Sequence, residues 1–125
     1  MWQEGKAISI LVYRITSAFP AEERFGLVSQ IRRSAVSIPS NIAEGWGRNT
    51  NQNLIMFLRN SMGSLCELET QLEISFELGF VNEQTFEEIQ QRLNLLSRQL
   101  KKFINSINEK KILSEPTIAY EAELQ

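Results

Sequence analysis

Residues 54–76 read LIMFLRNSMGSLCELETQLEISF, and within them Leu54, Leu58, Met62, Leu65, Leu68, Leu72 and Phe76 recur at steps of three and four. At about 100° per residue, those steps place all seven on one side of an α-helix. A half-buried strand would alternate apolar and polar residues instead, and no stretch of the chain does so. Gly79 supplies a stop for this segment, and Asn49 or Thr50 can cap its start.

The same spacing continues on either side. Downstream, Asn82 can cap a helix whose seam is Phe86, Ile89, Leu93, Leu96, Leu100, Phe103 and Ile107, with Lys110 and Lys111 suited to its negative end. Upstream, Val28, Ile31, Ala35, Ile38 and Ile42 form a second seam. Pro20 can open that helix with Glu22 and Glu23 in its first turn, and Gly45-Trp46-Gly47 can stop it. Pro39 lies inside it and removes one backbone donor, so a kink between Ala35 and Pro39 is expected, not a stop. The first helix carries Ile8, Leu11, Val12, Ile15 and Phe19, and the Phe19-Pro20 step ends it. Short connections force consecutive helices antiparallel. The expected fold is all-α, an up-down-up-down four-helix bundle over residues 1–113, followed by a flexible C-terminal tail, 114–125, with Pro116 and three glutamates.

A chain of 125 residues suits one domain that buries its core without a disulfide or metal staple. It has neither histidine nor aspartate, which excludes a Ser-His-Asp triad, a Cys-His pair and histidine metal sites. Ser37, Ser40 and Ser64 have no recognisable base, and Gly45-x-Gly47 lacks the strand and third glycine of a dinucleotide loop. The lone Cys66 has no partner for an internal disulfide and points to a reducing cytoplasm. No apolar run approaches a membrane span, and Met1 to Gly5 lack a signal pattern, so a cytoplasmic protein without a membrane partner is expected. Nothing suggests a cofactor or a small-molecule substrate. Net charge is −2, divided unevenly: Met1 to Ser64 hold seven basic residues against four glutamates, and the remainder six against eleven. A general nucleic-acid coat is disfavoured, while a local basic patch in the first half stays open.

From Phe19 to Phe80 the chain resembles the four-helix-bundle proteins encoded within intervening sequences of bacterial 23S ribosomal RNA genes, also called S23 ribosomal proteins. The likeness is carried by Phe19-Pro20, by QIRRSAVSIPSNIAEG at residues 30–45, and by Arg48, Phe57-Leu58 and Gly63-Ser64-Leu65. Glu67 to Leu72 and Leu78-Gly79-Phe80 carry it further. It implies a bundle assembled as a ring-shaped homopentamer with no established enzymatic activity. A related bundle is the accessory protein of diversity-generating retroelements, which binds nucleic acid and a reverse transcriptase; that relative is strongly basic, whereas this chain is acidic.

Arg33, Ser37, Asn41 and Glu44 line up on the second helix away from its seam and lead into Arg48. This stripe reads as a solvated face, a subunit contact or, with Arg32 and Arg59, a set of phosphate contacts for RNA or DNA. Arg33 and Glu44 stand three turns apart, too far to pair, so each is expected to seek a partner elsewhere, as on a neighbouring subunit. Trp2, Ile10 and Tyr13 share the outer side of the first helix, and Gly63 sits mid-helix opposite the apolar seam; both features suit an oligomer interface. Glu69 falls near the apolar sector while Glu67 points away, and Arg32 or Arg33 is the natural partner for a structural ion pair with Glu69. A metal site built on Glu44, Glu67 and Glu69 would lack the Glu-x-x-His motifs of carboxylate bundles. These residues point to a non-enzymatic homo-oligomeric interaction protein, with an RNA- or DNA-binding module as the alternative.

Overall fold

The Thr50 side chain accepts a hydrogen bond from the Asn53 backbone N–H at 3.1 Å, and the longest seam begins there. The computed structural model describes residues 1–112, with side chains through Glu109; the tail expected from 114 onward lies outside the described residues. Four helices are present: α1 (Trp2–Thr16), α2 (Leu27–Trp46), α3 (Asn51–Glu77) and α4 (Glu83–Ile112). They form an all-α bundle in which α1 packs on α2, α2 on α3, α3 on α4, and α4 back on α1. No strand occurs among the described residues.

The helix ends follow their caps. At the end of α3, Gly79 adopts φ +81°, a conformation that strains any side chain with a Cβ. The Phe80 N–H then reaches Ser75 O at 2.9 Å and the Gly79 N–H reaches Phe76 O at 3.0 Å, a Schellman closure. Asn82 Oδ1 accepts from the Thr85 N–H at 2.8 Å and starts α4.

Two boundaries differ from expectation. The first helix ends at Thr16, and Phe19 lies beyond it, buried with its ring 5.5 Å from that of Phe80. Pro20 does not open α2: it caps a short 3-10 turn, Ala21–Glu23, which holds Glu22 and Glu23, and α2 begins only after Gly26. Proline with two following acids suits the first turn of either helix type, and Gly26 interrupts the continuation.

The four seams meet in one core. Ile8, Ile31, Ile38, Leu58, Leu65, Leu68, Leu72, Ile89 and Leu93 are fully enclosed, and each contributes roughly 1.5–3 kcal/mol of transfer free energy. Helix α2 runs through Pro39 without interruption. Proline has no N–H for the Ala35 carbonyl, and the Ser9 hydroxyl of α1 lies 2.9 Å from that oxygen in its place. On the opposite side the Ser61 hydroxyl of α3 donates to Ile38 O at 2.9 Å. Gly5 allows the close approach of α1, since a Cβ there would stand 3.3 Å from the Pro39 Cβ. Gly45, expected in the helix stop, is instead a buried residue within α2, against Leu54 and Phe57; Gly47 is the cap.

Candidate functional site

The polar stripe on α2 turns toward α3 and does not face only solvent. Ser37 and Ser64 share a hydrogen bond at 2.7 Å, and the Asn41 amide donates to both the Ser37 hydroxyl and the Ser37 carbonyl at 2.9 Å. Arg33 pairs with Glu67 across the helices at 3.3 Å, and Glu67 also accepts from the Ser34 hydroxyl at 3.1 Å. Glu44 pairs with Arg48 one turn on. Arg33 and Glu44 are thus both satisfied within one chain, which corrects the expectation that each lacks a partner there. Their paired groups are largely exposed, and such pairs contribute about 0–1 kcal/mol each.

Glu67 lies off the apolar seam, as its place on the helical wheel requires, and its carboxylate serves the exposed α2–α3 edge. Glu69 is half-buried, and burial pushes its carboxyl above the ordinary value while Lys101 of α4 pulls it down. Neither Arg32 nor Arg33 is its partner, contrary to the sequence reading. Arg32 donates to Thr16 Oγ1 at 2.9 Å and to the Tyr13 carbonyl at 3.3 Å, with its guanidinium 4.4 Å from the Tyr13 ring centre. No group of three or more acidic or cysteine residues converges for a metal among the described residues. Glu44, Glu67 and Glu69 are each engaged separately.

The arginines do not form one patch. Arg59 lines a groove with Gln52, Asn53, Met56 and Asn108 between α3 and α4, whereas Arg48 lies over Phe57, 4.9 Å from its ring. Arg32 and Arg33 belong to a third region, a notch at the outer α1–α2 edge that also holds Tyr13, Arg24, Phe25 and Val36. Phe25 is 88 % exposed, and Arg24 lies 5.4 Å from its ring centre. Sequence reading missed Arg24, Phe25 and Val36, because they sit off every helical seam. The dipeptide Arg24-Phe25 just before a helix-starting glycine was the available signal.

Trp2, Ile10 and Tyr13 are 39, 45 and 44 % exposed along the outer side of α1. Lys6 covers Trp2 at 5.2 Å, and a shallow, mainly apolar depression joins Ile10 and Tyr13 to Val36 and Pro39 of α2. Among the described residues Gly63 has nothing within 4 Å of a Cβ built on it, so none of them requires glycine there. No described helix is long and apolar enough to cross a membrane.

Residues 1–102 match the family model for the 23S rRNA-intervening sequence protein. Among solved structures, the bundle is similar to a protein of unknown function from the S23 ribosomal protein family of Bacteroides thetaiotaomicron, with a TM-score of 0.77 and 20 % identity. The match covers 83 % of this chain and 94 % of that one, and at this identity it is a likeness of fold. No curated protein matches.

Proposed function

The chain belongs to the 23S rRNA-intervening sequence protein family, and from that premise we propose that it acts without catalysis, as a homo-oligomeric interaction protein. The observation that carries this reading is the apolar strip of Trp2, Ile10 and Tyr13. These residues cluster on a helix whose opposite face already fills the core with Ile8 and Val12. Apolar side chains grouped outside a bundle gain stability when another surface covers them. A second copy is the cover that the family resemblance implies, with five copies closing a ring. Gly63 agrees with this reading, since its open surface lets another backbone approach.

Size exclusion with light scattering tests it. Wild-type protein should elute as a multiple of 14.4 kDa, and Ile10→Glu should reduce that mass while helix content is retained, because Ile10 faces away from the core. A wild-type monomer at every concentration would sink the reading. Contact with RNA or DNA has weaker support: Arg33 and Arg48 are paired with glutamates, and Arg59 lies at a separate groove. Phosphate contacts would show as retention at low salt that falls steeply as salt rises.

A further inference from the structure

We propose that the notch formed by Arg24, Phe25, Arg32 and Val36 is the docking site for the chain's own C-terminal segment, residues 113–125. The notch is cationic and aromatic together. Three arginines line it with no acidic residue among them, and among the described residues only Arg33 of the three has a carboxylate partner. Arg32 spends its donors on neutral oxygens, and among the described residues Arg24 has no ion pair. Beside them Phe25 presents nearly its whole ring to solvent. Such a surface fits a ligand that combines carboxylates with apolar side chains.

The segment LSEPTIAYEAELQ has that composition. It carries Glu115, Glu121 and Glu123 without one basic residue, interleaved with Ile118, Tyr120 and Leu124. Residues 1–112 hold thirteen basic residues against twelve glutamates, so the net negative charge of the whole chain comes from its last thirteen residues. Length agrees as well. Helix α4 runs back along α3 and brings Asn108 beside Gln52 and Asn53, at the start of α3, which follows the end of α2 by four residues. From Trp46 back to Arg32 is fourteen residues of α2, about 21 Å along the axis. A sideways step of one to two helix spacings of about 8–10 Å brings the path to roughly 25–30 Å. Glu121 lies nine residues beyond Ile112, and nine extended residues reach about 30 Å. Glu121 and Glu123 can therefore meet Arg32 and Arg24 with Tyr120 and Leu124 beside Phe25. Tethering gives the segment an effective concentration of order millimolar, so weak contacts suffice to hold it.

A glutamate-specific protease tests the docking on the full chain, with the free peptide of residues 113–125 as reference. Cutting after Glu121 and Glu123 should be at least about fivefold slower in the protein than in the peptide, because cleavage follows the undocked fraction. The double variant Arg24→Glu, Phe25→Ser alters only exposed side chains, so circular dichroism should be unchanged and cutting should rise to the peptide rate. Wild-type protection should likewise vanish at high salt, and should not change with protein concentration. Equal rates in wild type and variant would overturn the proposal. Protection that disappears on dilution would overturn it too, by assigning the segment to a neighbouring copy. Oligomer mass measured alongside keeps the outcomes separate: loss of mass in the variant with no change in cutting would give the notch to a subunit contact, whereas a protected monomer would leave this docking standing without self-assembly.

Discussion

The Ser9 hydroxyl stands 2.9 Å from the Ala35 carbonyl, the acceptor that Pro39 leaves without its helical donor. The same hydroxyl lies 3.0 Å from Gly5 O, in its own helix. Ser9→Ala should destabilise the protein by about 1–3 kcal/mol, the cost of a buried carbonyl with no donor. In a Pro39→Ala background the residue-39 N–H can serve that carbonyl, and Ser9→Ala should cost less. A double-mutant cycle in urea reads the coupling, and additive effects would contradict the assigned role.

Two glycines in helices should respond in opposite directions. A Cβ on Gly45 would stand 2.9 Å from the Phe57 Cβ, an atom fixed near the backbone, so Gly45→Ala forces α2 and α3 apart and should cost about 1–3 kcal/mol. Gly63 meets nothing among the described residues, and Gly63→Ala should stabilise α3 by roughly 0.5–1 kcal/mol. If Gly63 contacts a second copy, the same change lowers oligomer mass. Thermal unfolding and light scattering on the two variants read both effects.

Glu69 gives the bundle a pH dependence of known sign. Burial raises its carboxyl above the value of the unfolded chain, with Lys101 opposing. The folded state then holds its proton longer than the unfolded state does, so stability is lost as pH rises through that window. Glu69→Gln removes the penalty. Relative to wild type, it should gain little near pH ~4 and up to about 1 kcal/mol near pH ~7, a small figure because the group is half exposed. A difference that shrinks with rising pH would contradict the assignment.

Arg33→Glu places a second carboxylate against Glu67, and Glu67→Arg does the reverse. Each should cost under about 1 kcal/mol at low salt, and the exchanged pair should recover most of it. Urea titrations at two salt concentrations check this, with the differences collapsing at the higher one.

The bundle was legible because apolar residues at steps of three and four admit one geometry, and Thr50, Gly79 and Asn82 acted at the helix ends as their chemistry dictates. What stayed hidden depends on neighbours. A helical wheel shows that Glu67 leaves the apolar seam, but only the placement of α2 shows that Ser34 and Arg33 await it. Gly45 reads equally as a stop or as a close contact until Phe57 is positioned. Pro39 announces an orphaned carbonyl, whereas the identity of Ser9 as its donor needs the register of α1 on α2. At the candidate surface, Trp2, Ile10 and Tyr13 were legible as off-seam apolar residues. Phe25 belonged to no helix and so to no wheel.

The hydroxyls of Ser9 and Ser61 grip α2 from both sides within one turn of Pro39. Sliding α1 or α3 by one helical turn, about 5.4 Å, would carry each away from its acceptor. Those three helices are therefore interlocked against axial shift, as meshed gears are. Helix α4 leans on them through Leu93, Leu96, Leu100 and the stacked rings of Phe76 and Phe86, and among the described residues none of its hydroxyls bonds to another helix. The axial register of α1, α2 and α3 is therefore set by these two hydrogen bonds, and that of α4 by the fit of its apolar seam.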